Sequence, residues 1–100
     1  MQYIGYEELE PGRNFPKLKD SLEEEAYSHK EDVLRFLRSG TVDFARASRA
    51  KDVFSGDIIP AEVLVMHDGD FFWSNTLAWY VEKYNLRRPR NFEKHILSNA

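Results

Sequence analysis

The loop His67-Asp68-Gly69-Asp70 sets an imidazole and two carboxylates side by side in the chain. Such groups can hold a divalent ion or share a proton. They also have a plainer role. Asp-Gly is a favoured pair for a two-residue type I′ turn, and His67 opposite Asp70 is an ordinary cross-strand pair. A calcium loop needs more oxygens at fixed spacing, and a zinc centre needs further ligands. His29 and His95 are remote in sequence and add no spacing signal. The turn reading is preferred, and neither a metal nor a cofactor is expected. Ser48, Ser55 and Ser74 each suit a turn or a cap, and none lies in a G-x-S-x-G elbow. There is no G-x-G-x-x-G or Walker loop. The carboxylates of Glu7, Glu8, Glu23, Glu24 and Glu25 fall in polar segments where nothing would split their pKa values. No catalytic residue is assigned, and the chain reads as non-enzymatic.

Two further features are suited to binding. Trp79 points about 160–200° away from Leu77, the centre of its helix's apolar face, at 100° per residue. Either another element covers it, such as the last helix or the N-terminal arm, or it stands free as an interface anchor. Arg87, Arg88 and Arg90 follow that helix, and with an exposed Trp79 they would form an aromatic and basic patch suited to an acidic partner. Their plainer role is a solvated loop that complements a helix C-terminus. Arg46 and Arg49 lie in a second, smaller basic stretch that could join them against phosphate groups.

These residues must be positioned by few elements. Residues 63–66 favour a strand, Asp68-Gly69 marks a turn, and residues 71–73 supply a second strand. With a two-residue loop, His67 faces Asp70, Met66 faces Phe71, Val65 faces Phe72 and Leu64 faces Trp73. Ser74 then caps a helix whose Leu77, Tyr80, Val81 and Tyr84 share one face. Earlier in the chain, residues 1–15 read as an arm broken by Pro11-Gly12, with its apolar residues on the domain surface. Residues 17–26 are helix formers with a narrow apolar stripe. Ser28-His29-Lys30-Glu31 matches a capping box opening a second helix to about Ser39, with Gly40 as its C′ residue. Residues 41–46 alternate, with Val42 and Phe44 opposite Asp43, as in a strand wet on one side. Pro60 marks a strand edge or entry. Asn91 caps a last short helix with Phe92, Ile96 and His95 turned inward.

The expected fold class is α+β: a small antiparallel sheet of about three strands with helices on one face, in the order α-α-β-β-β-α-α. One hundred residues make one domain, residues 1–100. The absence of cysteine excludes disulfides, thiol catalysis and cysteine-based zinc sites. No apolar run reaches the roughly 18–20 residues needed to span a bilayer. The first twelve residues lack a basic n-region and an apolar h-region, so a cytoplasmic location is expected. The net charge of −3 is uneven, because residues 81–100 carry 5 basic and 2 acidic side chains. The acidic remainder argues against general nucleic-acid binding.

The run from Asp68 to Tyr84, continued through Pro89, Phe92, His95 and Ile96, resembles a pattern in small uncharacterised bacterial proteins. It has a D-G turn, a Trp soon after, an L-A-x-Y-V helix and a closing P-x-x-F-x-x-H-I; Trp79 stands where Tyr is expected. Some proteins of this kind accompany secreted toxins as immunity or accessory proteins. The resemblance implies a binding role in a bacterial cytoplasm and no catalytic site. The resulting expectation is a non-enzymatic protein-interaction module, in its sharpest form an immunity-type inhibitor, with Trp79, Arg87, Arg88 and Arg90 meeting a protein partner. The alternative is a small-ligand or nucleic-acid binding module that uses the basic loops.

Overall fold

The computed structural model describes residues 2–25, 27 and 29–99. The chain runs β1 (Gln2–Ile4), a 3-10 turn (Leu18–Asp20), α1 (Lys30–Arg38), β2 (Thr41–Lys51), β3 (Ile58–His67), β4 (Phe71–Ser74), α2 (Thr76–Tyr84) and α3 (Arg90–Ser98). The α+β class is as expected. The sheet is not: it has four strands in the order β1-β4-β3-β2, and β1 lies parallel to β4. A mixed sheet thus replaces the antiparallel one, and a strand opens the order in place of a helix.

The arm supplies that strand. Ile4 and Tyr6, expected on the surface, are buried. Ile4 pairs with Trp73, and the Tyr6 hydroxyl donates to the Arg87 carbonyl at 2.7 Å. Three residues cannot hold a strand alone; the open edge of β4 provides the partner. Residues 17–25 form no α-helix despite their propensities. After the 3-10 turn the backbone runs beside the α2–α3 connection, where Leu22 bridges Leu86 and the Arg87 amide donates to the Ser21 carbonyl at 2.6 Å. A narrow stripe and three adjacent glutamates gave a helix little to gain, and the 3-10 turn still buries Leu18. One α-helix, not two, therefore lies between β1 and β2. Ser28 of the expected capping box lies outside the described residues, and His29 occupies the N-cap of α1 without a side-chain cap bond.

The β3–β4 hairpin is offset by two residues from the expected register: His67 pairs with Phe72, Met66 with Trp73 and Val65 with Ser74. The cause is the Asp68 carboxylate. Its Oδ1 accepts from the amides of Asp70 and Phe71 at 3.0 and 2.9 Å, stretching the turn over four residues. A shift of two preserves the faces. Ile4, Met66, Phe71 and Trp73 therefore point to the helices. Trp73 packs against Phe36 of α1 and Phe92 of α3, with ring centroids 5.4 and 5.6 Å away. The expected faces of α2 hold, with Leu77, Tyr80 and Val81 buried. Ser74 ends β4, yet its hydroxyl still accepts from the Thr76 amide at 3.2 Å. Asn85 closes α2 in the left-handed conformation, φ +56°.

Candidate interaction surface

The structure separates the residues that sequence reasoning grouped. Trp79 is half-buried. Its indole Nε1 donates to Asp52 Oδ2 at 2.9 Å, and Lys83 Nζ sits 5.0 Å above its ring. The β2–β3 connection is what covers it. Arg88 is buried, with 1% of its side chain exposed. Its guanidinium bonds the Tyr27 hydroxyl and the Leu86 carbonyl, approaches Glu93 at 3.4 Å and lies over the Tyr27 ring. It is a bracket between segments and offers nothing to solvent. Arg87 and Arg90 are exposed beside it, and Arg87 pairs with Glu23 at 3.4 Å. Arg46 lies elsewhere, lining a cleft with Tyr3 and Glu10, so the basic stretches share no recess among the described residues.

Asp52 is the hub that sequence reasoning missed. It is 2% exposed and accepts four hydrogen bonds: from Trp79, from the Tyr84 hydroxyl at 2.7 Å, and from the amides of Phe54 and Ser55 at 2.8 and 3.1 Å. Burial alone would raise its pKa. The donated hydrogen bonds outweigh burial, those of Trp79 and Tyr84 most, and hold it down to about 2. The hydrogen bond to Asp52 in turn raises the Tyr84 pKa, with burial adding to it. This carboxylate fixes the turn that joins β2 to β3, closed by the Asp52 amide donating to the Asp57 carbonyl at 2.8 Å.

That turn terminates the most open element of the protein. β2 is an edge strand of eleven residues, all of them exposed except the half-buried Ala50. Strict alternation would set Val42 and Phe44 on one face. The register instead steps from Val42 opposite Met66 to Phe44 opposite Val65, so Asp43 forms a bulge and Phe44 turns to the helix-free face. Val42 and Phe44 are 49% and 48% exposed, and Ile58 at the far end of the β2–β3 ladder is 59% exposed. On the helix-free face, Phe44 joins Tyr3, Val65 and Phe72 in a cleft of about 240 Å³, with Arg13, Asp43, Arg46 and Glu10 on its margins. Part of that face is roofed by the arm: Tyr3 Oη donates to Glu10 at 2.7 Å, and Tyr3 packs 5.9 Å from Phe15. Burial, then the bond to Glu10, raises the Tyr3 pKa, so it stays a neutral donor.

The Ser55 hydroxyl accepts from the Asp57 amide, and the Ser74 hydroxyl is engaged with Thr76. No helix of the described residues is long and apolar enough to cross a membrane. No family model, curated protein or solved structure matches the chain.

Proposed function

We propose that this chain is a non-enzymatic protein-interaction module that takes up an acidic, extended segment of a partner protein along β2. The observation that carries this reading is the edge itself: a long, exposed strand with unpaired backbone groups and Val42 and Phe44 uncovered beside them. Arg46, Arg49 and Lys51 outnumber Asp43 on that strand, whereas the chain as a whole is acidic. A negatively charged strand would gain ladder hydrogen bonds, and its apolar side chains would meet Phe44 and the cleft. The anchor of the module is then Phe44, and Trp79 contributes indirectly by holding Asp52. Inhibition by occlusion, as in an immunity-type protein, is the narrowest form of this reading.

Selection from a displayed random-peptide library tests it. Wild-type protein should enrich acidic peptides with alternating apolar residues, and their binding should slow amide exchange along β2. Phe44→Asp should weaken that binding about 30-fold or more, as for loss of an interface hot spot. Because Phe44 is half exposed, this variant should remain folded. Enrichment of basic peptides, or binding indifferent to Phe44→Asp, would remove the proposal. So would occupation of β2 by a second copy, seen as a dimer in sedimentation that Phe44→Asp dissociates.

A further inference from the structure

The turn that opens β4 carries a second arrangement, independent of the β2 surface. His95 of α3 lies 27 residues from Asp68 in sequence, yet its Nε2 is hydrogen-bonded to Asp68 Oδ2 and stands 4.0 Å from Asp70 Oδ2. One ligand atom from each of the three residues falls within 4.8 Å of the others. Two of the three side chains are already fixed. Asp68 is held through its Oδ1 by the Asp70 and Phe71 amides, which leaves Oδ2 directed at the imidazole. The His95 ring packs 4.8 Å from Phe71 and 5.9 Å from Phe36. Both side chains are 19% exposed, whereas Asp70 is 72% exposed and free to swing. A tetrahedral ion with bonds of 2.0–2.1 Å needs donors about 3.3 Å apart. Rotation of Asp70 inward and a small parting of Asp68 and His95 would reach that spacing.

We propose that Asp68, Asp70 and His95 bind a divalent transition-metal ion, with water completing the shell. One imidazole with two carboxylates favours zinc, cobalt or nickel over magnesium or calcium, which prefer oxygen alone. The orienting bonds on Asp68 and the aromatic packing of His95 are the kind of outer support that metal ligands require. The ion ties α3 to the β3–β4 turn, which joins two ends of the chain's core.

Calorimetric titration with Zn²⁺ is the test, read together with thermal unfolding. The wild type should bind one ion per chain. Its Tm should rise by roughly 10 °C at about a hundred times the Kd, with no comparable rise in Mg²⁺. Asp70→Asn should lower affinity at least tenfold and leave the metal-free Tm unchanged, since its carboxylate makes no hydrogen bond to the described residues and stands 4.0 Å from His95. His95→Gln should do the same to affinity, and Asp68→Asn should keep the turn through its Oδ1 while losing the ion. His29→Gln and His67→Gln should bind as the wild type does. The site is refuted if Zn²⁺ fails to bind one to one, or if binding survives Asp70→Asn and His95→Gln together.

Discussion

Asp52→Ala should lower the stability of the fold by about 2–4 kcal/mol, the cost of leaving several buried donors without their acceptor. In a domain of this size that is a fall in Tm of about 10 °C or more. The same carboxylate predicts the acid limb of the stability curve. Its folded pKa lies near 2, below the ordinary value of 3.8 that it regains on unfolding. Ionised Asp52 therefore contributes its full stabilisation above about pH 4, and the contribution drains away as pH falls through 4 toward 2. The displacement corresponds to about 2 kcal/mol at neutral pH. Urea unfolding between pH 2 and pH 7 should show this slope in the wild type and a flatter one in Asp52→Ala. Trp79→Phe and Tyr84→Phe each remove one donor, so each should move the acid transition toward pH 4. An unchanged acid limb in all three variants would mean that another carboxylate governs it. Asp68 and Glu8 are the rivals to separate. Burial opposes in both, but bonds from His95 and from the Phe71 and Asp70 amides lower the pKa of Asp68, and bonds from the Leu18 and Lys19 amides lower that of Glu8.

The residues explain which parts of this arrangement could be read in advance. The hairpin and α2 depend on neighbours in sequence, and there the β-favouring run at residues 63–66, the Asp68-Gly69 turn pair and the spacing of Leu77, Tyr80 and Val81 carried the information. The offset in the turn was already a harder matter, since it hangs on one Asp68 oxygen preferring two amides to a type I′ geometry. β1 has no local signal at all: Gln2–Ile4 becomes a strand because Phe71–Ser74 offers an edge some seventy residues later. Residues 17–25 show the converse, helix propensity overruled by pairing with Leu86 and Arg87. The two sites divide in the same way. Asp68 and Asp70 were visible as a pair, but only packing of α3 brings His95 to them. The alternation of residues 41–46 was visible too, and the bulge at Asp43 reversed its meaning for Phe44. Arg88 was legible as a charge, while its burial follows from Tyr27 and Glu93, which approach from opposite directions along the chain.

Trp73→Ala should be the most damaging single change, costing about 3–5 kcal/mol, a large share of what a domain of this size has to lose. The side chain is 0% exposed and touches both Phe36 and Phe92, so its removal opens a void where α1, α3 and the sheet meet. A second role adds to the cost. The indole Nε1 donates to the Leu37 carbonyl at 3.1 Å, in the last turn of α1, where carbonyls have no partner within the helix. Trp73 therefore caps α1 from across the core. Gly40 belongs to the same contact. It was expected as the residue closing α1, but it does not adopt a positive φ. Its role is clearance: a Cβ there would lie 2.6 Å from Trp73 Cζ2 and 3.2 Å from the His67 carbonyl. Buried on all sides, the ring cannot step aside cheaply, and Gly40→Ala should cost about 1–3 kcal/mol. The two substitutions must then be coupled. In Trp73→Phe the benzo edge that crowds Gly40 is gone, so Gly40→Ala should become nearly harmless in that background. A double-mutant cycle by urea unfolding should return an interaction of about 1 kcal/mol or more. Simple additivity would place the clash elsewhere, against the His67 backbone, and would leave Trp73 with only its packing and its bond to Leu37.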